Sequence, residues 1–516
     1  TSVSNVNLLG GIITSAYGGG AYTNTTTSNV TLDGSSVSNL YGGANEADVT
    51  TSNITLRSGS SEYVFGGSNN SGSVSTSNIV SDNPTSLTVT NLYGGNNLGG
   101  ITGKTNIDLT GGVYTNIYGG GNMTSTDYTD VSVNNITMLG EFFGGGNRAG
   151  VNHTTNVSFV NSTINGDLFG GGNLGEVLED TTVYISNSHI LSSVYAGGNG
   201  NSAIVYGNTT LNIDDNSIID KHVFGGGNAA NTGSEDKNNS LSNVNIAGAS
   251  ISGNVYGGAN TAVLYGEVKL NIGSSVVDSS LIDSDINITG TVFGGGEANA
   301  SGDPNYDYSF ISVTKGIDIK IDGESHDNFN ISGSIFGSGN ASSTSGYSYI
   351  DISNYGTFND YKENISIQRA DVVTIKNSSI KLEGTTDRTN EYSTTKFSIS
   401  RVKELKLAND STLFLENGTN LLEKFNSLKI DSDGREEKAS VTISDDGTVS
   451  RNVNNRVYML EGKNLNIATN EAVTTYGEVS GMTFFGMYQL DRNDRVMTAF
   501  YDNKYNDGDT VSSGEF

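Results

Sequence analysis

The stretch Leu40-Tyr41-Gly42-Gly43-Ala44-Asn45 joins an apolar residue, an aromatic residue, two glycines and an asparagine, and variants of it recur along most of the chain. The first spacings between successive aromatic residues are 24, 24, 28, 25, 25, 26 and 26 residues, and later ones lengthen to 29, 32, 37 and 43. A nearly fixed period of this size is typical of a solenoid, in which one supersecondary unit repeats and stacks on its neighbours. The aromatic residues of the motif are Tyr17, Tyr41, Phe65, Tyr93, Tyr118, Phe143, Phe169, Tyr195, Phe224, Tyr256, Phe293 and Phe336.

A second signature between these motifs indicates what the repeating unit is. The segments SNVTL at 28–32 and SNITL at 52–56 alternate polar and apolar residues, which is the period of a β-strand. A turn follows each of them, and no segment between two motifs is long enough for the helix of an α/β repeat. We therefore predict an all-β fold, a parallel β-helix (β-solenoid) whose coils pair about 4.8 Å apart. The crossover rule makes the predicted winding right-handed.

A constant period places like residues above one another, so the motif predicts ladders of side chains along the rod. The aromatic rings would stack and the asparagines would form an amide ladder. We expect the glycines to allow positive φ and close approach of neighbouring coils, and the asparagines to tolerate the left-handed region. Because the residue before each aromatic is also apolar, the sequence leaves open whether the rings face the core or form an outward binding stripe. The predicted ladder residues are Tyr41, Phe65, Tyr93, Tyr118, Phe143, Phe169 and Tyr195, with Asn122, Asn147 and Asn173.

The chain is acidic and lacks cysteine. Its 516 residues carry a formal net charge of −28, which disfavours nucleic acid as a partner because a phosphate backbone binds a basic surface. The lack of cysteine excludes disulfides, thiol catalysis and cysteine-based zinc sites. No run approaches 18 consecutive apolar residues, so we predict no membrane span. No signal peptide or wall-sorting tail is visible, and we expect the chain to be a fragment of a longer polypeptide.

Changes along the chain divide it into three predicted parts. Residues 1–345 carry the Gly-Gly-x-Asn coils, 346–430 keep the strand pattern as degenerate coils, and 431–516 are predicted to be a C-terminal β-rich cap or a separate recognition module. Insertions lengthen the coils after about residue 200, at 231–239, 276–285 and 302–308. Such insertions collect on one side of a solenoid, and that side often binds ligands. The predicted binding residues on the last insertion are Asp303, Tyr306, Asp307 and Tyr308.

The stretch 405–419 reads LKLANDSTLFLENGT, two strands joined by an Asn-Asp turn. Coils of this kind resemble the β-helical passenger regions of autotransporter adhesins and the repetitive surface adhesins of bacteria. The resemblance covers most of the chain as a style of repeat, and it implies a right-handed β-helix displayed at a bacterial cell surface. It implies no specific binding residue. We therefore expect an extracellular, monomeric, non-enzymatic adhesin region, serving as a binding face or a stiff stalk, whose partner is a host-cell protein, a matrix protein or a glycan.

The alternative is a carbohydrate-active β-helix, either a polysaccharide lyase or hydrolase or a tailspike-like protein. Hydrolysis of sugars needs paired carboxylates, and Asp214-Asp215 is the one adjacent pair inside a regular coil. No Gly-x-Ser-x-Gly, P-loop or His-Glu-x-x-His motif occurs. We predict no catalytic residue, no metal site and no cofactor, and we expect the four histidines to be isolated: His153, His189, His222 and His326.

Overall fold

A computed structural model describes residues 3–382 apart from 83, 274, 298–309, 324–327, 358–359 and 361, and beyond them strands within 399–415, 440–443, 456–459, 478–483 and 488–496. All regular structure in these residues is strand, and parallel strands stack as a β-solenoid of about 14 turns. The predicted all-β parallel solenoid is therefore confirmed, while its right-handed winding stays a prediction. The described residues contain no helix that is long and apolar enough to cross a membrane.

The first five coils contain one or two strands each, and in the second and third coils a single 17-residue strand runs through Gly34 or Gly59. A single column of register partners, Val6, Val30, Ile54, Ile79 and Ile107, shows that each coil repeats the one before it. The strands are β1 (Val3–Leu8), β2 (Ile12–Tyr17), β3 (Thr25–Tyr41), β4 (Val49–Phe65), β5 (Val74–Ser81), β6 (Leu87–Tyr93), β7 (Thr102–Thr110) and β8 (Val113–Tyr118).

The next coils each divide into three strands, because a tight turn separates the first strand from the second. Asn135, Asn161 and Asn187 occupy this turn with φ of 57°, 48° and 44°, a region that asparagine tolerates better than most residues. The strands are β9 (Thr126–Asn134), β10 (Thr137–Met138), β11 (Phe142–Phe143), β12 (Thr155–Val160), β13 (Thr163–Ile164), β14 (Leu168–Phe169), β15 (Thr181–Ser186), β16 (His189–Ile190), β17 (Val194–Tyr195), β18 (Thr209–Asp214), β19 (Ser217–Ile219), β20 (Val223–Phe224), β21 (Ser240–Ile246), β22 (Ala249–Ile251), β23 (Val255–Tyr256), β24 (Gly266–Ile272), β25 (Ile286–Ile288), β26 (Val292–Phe293), β27 (Ile311–Val313), β28 (Gly316–Asp322), β29 (Phe329–Ile331) and β30 (Ile335–Phe336).

Parallel pairing continues after the last aromatic motif. The strands are β31 (Ser343–Thr344), β32 (Tyr347–Ser353), β33 (Lys362–Ile365), β34 (Ile367–Lys376), β35 (Ser379–Leu382), β36 (Ile399–Ala408), β37 (Thr412–Leu415), β38 (Ser440–Ile443), β39 (Arg456–Met459), β40 (Glu478–Val479), β41 (Met482–Thr483), β42 (Tyr488–Gln489) and β43 (Arg495–Val496). β34 pairs with β36 and β36 with β38, while β35 pairs with β37 and β37 with β39. The two short pairs at the end, β40 with β41 and β42 with β43, are antiparallel. The three-part division and the terminal cap stay predictions.

The interior of the solenoid is one continuous apolar core. It contains the alternate residues of the first strand, such as Val30 and Leu32, and the apolar residue that precedes each aromatic, such as Leu40 and Val64. No single coil encloses these side chains alone, so stacking buries them and supplies most of the stability. The aromatic residues form a second buried cluster, which is distinct from this core.

Candidate binding face

Twelve aromatic rings, one from each motif, stack in a column that runs from Tyr17 to Phe336. Neighbouring ring centroids are 4.7–5.1 Å apart, and all pairs but the last are within 10° of parallel. Both members of an apolar-aromatic pair are buried, since Leu40 is 0% and Tyr41 5% exposed. Leu40 belongs to the main core and Tyr41 to the aromatic cluster. The ring faces cover one another, so a ligand would reach the column through its ring edges.

An asparagine four residues after the aromatic forms a second column beside the rings. In each step the Nδ2 of the later asparagine donates to the Oδ1 of the earlier one, at 2.8–3.0 Å. None of these asparagines has positive φ among the described residues, so the expected use of the left-handed region at this position is wrong. Their amides bond along the rod instead. This amide ladder consists of Asn45, Asn69, Asn97, Asn122, Asn147, Asn173, Asn199, Asn228 and Asn260.

The amide ladder is tied to the aromatic column through tyrosine hydroxyls. Asn69 uses its second Nδ2 hydrogen to donate to the hydroxyl of Tyr17, two coils earlier, at 3.4 Å. The same two-coil offset joins Tyr41 to Asn97, Tyr195 to Asn260 and Tyr256 to Asn340. Burial raises the pKa of Tyr41 and of Tyr118 to about 12, because ionisation would place a charge in the covered column. The column therefore favours the neutral form of its tyrosines.

These raised values predict a loss of stability at alkaline pH. The folded pKa exceeds the ordinary value of 10.0, so the stabilisation is complete below about pH 10 and falls as the pH rises towards 12. We expect thermal unfolding midpoints to decline over this range. Tyr118→Phe should reduce the decline, since Phe143 and Phe169 already occupy equivalent positions. Thermal melts between pH 8 and pH 11.5 would measure this, and equal pH slopes for the variant and the wild type would contradict it.

A row of polar residues two positions before the aromatic also follows the column. Five side chains in this flanking row accept a backbone N–H from the next coil. Asp167 accepts from Ser193 at 2.9 Å and His222, through Nδ1, from Asn254 at 2.9 Å. The acceptor role of Nδ1 assigns the ring proton to Nε2. The members with this contact are Asn116, Asp167, Ser193, His222 and Asn254.

Two carboxylates are neighbours in the flanking row. Phe142 pairs with Leu168, so Glu141 and Asp167 occupy the same position in adjacent coils, which stack about 4.8 Å apart. Burial, and then the charge of Asp167, raises the pKa of the Glu141 carboxyl. Neither residue was singled out from the sequence, because 26 residues separate them and only the stacked register brings them together.

Buried hydroxyls on the first strand hold the glycine corner in place. Thr155 Oγ1 donates to the carbonyl of Gly170 at 2.7 Å, and Ser52 Oγ to that of Gly66 at 2.6 Å. The contact could have been anticipated from the sequence, because a Ser or Thr regularly precedes the asparagine of the SNVTL signature. The same contact is made by Ser28, Thr105, Thr129, Thr181, Thr209 and Ser242.

The motif glycines are required for space. A Cβ on Gly145 would lie 2.8 Å from the backbone N of Gly172, and one on Gly171 would lie 2.9 Å from Gly198 Cα. The expected close approach of coils is therefore present. The expected positive φ is wrong at the motif glycines that the structure describes, since left-handed glycines occur elsewhere, as at Gly34 and Gly59.

The insertion at 276–285 folds back over two coils. Its backbone at Ile282 donates to Asp214 Oδ2 at 2.8 Å, and Ser284 Oγ accepts from the N–H of Asn216 at 2.8 Å. Asp214 is 0% exposed, while Asp215 adopts φ of 50° in the turn. Because the insertion buries one member of the pair, Asp214 and Asp215 do not form an exposed acid pair.

The other predicted site residues lie in different places. Asp303, Tyr306, Asp307, Tyr308 and His326 lie outside the described residues. His153 is 3.0 Å from Glu179 Oε1 and His189 is 3.0 Å from Asp220 Oδ1, both at the surface. These two histidines are therefore paired with carboxylates, contrary to the expectation that they are isolated. Within the described part of the chain, no three His, Asp or Glu side chains gather as metal ligands would.

A polar groove of about 360 Å³ crosses the early coils. Its lining includes Asn24, Asp48 and Ser73, and the carboxylate of Asp48 is the one acidic group in it. Asp48 already takes part in a hydrogen bond between coils, because its Oδ1 accepts the N–H of Ser73 at 2.8 Å. We therefore take the longest array of repeated polar groups as the candidate binding face. It is formed by the amide ladder, the aromatic column and the flanking row.

No protein-family model, curated protein or solved structure that was compared with the chain matches this chain.

Proposed function

We propose that this β-solenoid is a non-enzymatic, extracellular rod of a bacterial cell-surface adhesin, which binds a host protein or a glycan along its candidate binding face. The observation that carries the proposal is the amide ladder, because it repeats one hydrogen-bonding group at every coil over nine coils. A rod of this kind gains affinity from many weak contacts made at once along its length. We propose that it acts as a monomer.

A binding screen tests the proposal. The protein would be applied to a panel of immobilised oligosaccharides and to matrix proteins, and any oligosaccharide bound would then be incubated with it and analysed by chromatography. We expect saturable binding to a member of one panel, with the oligosaccharide recovered unchanged. Failure to bind either panel, or the appearance of shortened saccharides, would overturn the proposal.

The neighbouring carboxylates Glu141 and Asp167 favour a second candidate, a carbohydrate-active solenoid. Retaining glycosidases place their two carboxyl groups about 5–5.5 Å apart, and one of the two needs a raised pKa to act as the acid. Adjacent coils place the two residues at the same position about 4.8 Å apart, and the pKa of the Glu141 carboxyl is raised. Against this candidate, Asp167 Oδ1 already accepts the N–H of Ser193 at 2.9 Å.

Glu141→Gln and Asp167→Asn separate the two candidates. If the solenoid only binds, we expect both variants to cleave nothing, as the wild type does, and to change affinity by less than about tenfold. If it is an enzyme, each variant should lower a measurable wild-type cleavage rate at least about a hundredfold. The measurement is reducing-end release from a polysaccharide panel. The variant Glu179→Gln, which removes a surface carboxylate that contacts His153 and is not part of the flanking row, serves as the control.

A further inference from the structure

The hydrogen bonds of the amide ladder all run in one direction. Where the ladder is interrupted, one amide oxygen therefore lacks a donor. Each asparagine donates Nδ2 backwards and presents Oδ1 forwards, so every Oδ1 requires a donor from the next coil. Asn260 is the last amide of the unbroken series, which Asn340 resumes two coils later. The next coil has Glu297 in the same position, since Glu297 N donates to the carbonyl of Ala259 at 3.0 Å as Asn260 N does to that of Gly227. A carboxylate has no N–H, so the ladder supplies no donor to Asn260 Oδ1 at this step.

The groups around this step are also polar. The hydroxyl of Tyr256 bonds to the Glu297 carboxyl and accepts from Asn254 Nδ2 at 2.9 Å. His222 approaches the Tyr256 ring edge-on at 6.1 Å. Its Nδ1 is occupied by the Asn254 N–H, which leaves the Nε2 hydrogen as a donor. Burial raises the pKa of the Glu297 carboxyl, as expected where a carboxylate lacks a full set of donors.

We propose that Asn260, Glu297 and His222 form a subsite for a saccharide, in which sugar hydroxyls supply the donors that the ladder lacks at this step. Two adjacent acceptors with a nearby N–H donor match a pair of neighbouring hydroxyls, which donate and accept together. All three side chains are partly exposed. A calcium ion fits less well, because it takes six to eight oxygen ligands and the described residues contain no group of three acidic or histidine side chains placed for a metal. The subsite rests on the proposed function, and names glycan as its ligand class.

Glu297→Asn is the informative variant, because an asparagine here continues the ladder and supplies the missing donor to Asn260. The variant should melt at the same temperature as the wild type or higher, so loss of binding is not loss of folding. We expect its affinity for an oligosaccharide that the wild type binds to fall at least about tenfold. Glu46→Gln is the matched control, since it neutralises a carboxylate next to the other end of the ladder, and it should bind like the wild type.

The outcomes separate the subsite from the proposed function. If the wild type binds an oligosaccharide and Glu297→Asn binds it equally well, the subsite is wrong and the adhesin proposal stands. If the wild type binds no oligosaccharide on the panel, the glycan part of the proposed function fails, and the subsite with it. Calorimetry with calcium chloride alone completes the test. Heat of binding that is present for the wild type and absent for Glu297→Asn would identify a cation site and overturn the saccharide assignment.

Discussion

Replacing Gly145 with valine should destabilise the middle of the solenoid by about 3 kcal/mol or more. The new Cβ would lie 2.8 Å from Gly172 N and 3.0 Å from Gly171 C, and both are backbone atoms of the next coil. That backbone has little freedom to move, because Gly145 N donates to Gly171 O and Gly120 N to Gly145 O, each at 3.0 Å. A solenoid is stabilised mainly through its nearest-neighbour interfaces, so the damage should concentrate in the coils on either side.

Gly10→Val is the control for this variant. Gly10 has nothing within 4 Å of an added Cβ, and its φ is not in the left-handed region, so the same side chain should leave stability nearly unchanged. Thermal unfolding measured by circular dichroism gives the total effect, and hydrogen exchange of peptides from 119–173 locates it. A Gly145→Val protein that melts with the wild type would show that the glycine corner does not need the space the structure assigns to it.

The repeat period was enough to predict the parallel solenoid, because parallel stacking requires only that like residues return to like positions. The period could not predict the orientation of the aromatic rings. The rule of alternation fails at Leu40-Tyr41, where both residues are buried, since the chain bends into the glycine corner and the ring enters a column of its own. The sequence explained the motif glycines partly by positive φ, which was wrong. They are required because the backbone of the next coil leaves no space for a Cβ, and left-handed conformations occur instead in turns such as the one at Asn161.

The candidate subsite was less accessible to sequence reasoning than the fold. His222 has its polar neighbours Tyr256 and Glu297 at 34 and 75 residues further along the chain, because successive coils bring distant residues together. The sequence does contain one indication of the subsite. Glu297 replaces the asparagine that recurs four residues after most of the aromatics, and such a replacement leaves a hydrogen-bonding group of the ladder without its partner. The direction of the hydrogen bonds, which turns this break into a pair of acceptors, comes only from the structure.

The buried hydroxyls allow one substitution to be compared at two equivalent positions. Ser52 and Ser77 are register partners in adjacent coils, and both are 0% exposed. Ser52 Oγ donates to Gly66 O at 2.6 Å, whereas Ser77 Oγ has no hydrogen-bond partner. Their side-chain volumes and strand positions are the same. The difference between the two alanine variants therefore measures the hydrogen bond to the glycine corner.

Ser52→Ala should cost about 1–3 kcal/mol, because it leaves a buried carbonyl without its donor. Ser77→Ala should be neutral or slightly stabilising, because it removes a buried hydroxyl that bonds to nothing. Denaturant unfolding of the two variants side by side gives the comparison, and each serves as the other's control for the lost side-chain atom. Equal losses would mean that the hydroxyl acts only by filling space. A larger loss for Ser77→Ala would mean that its hydroxyl has a partner in solution, and the proposed role of the serine and threonine column in holding the glycine corner would then include Ser77.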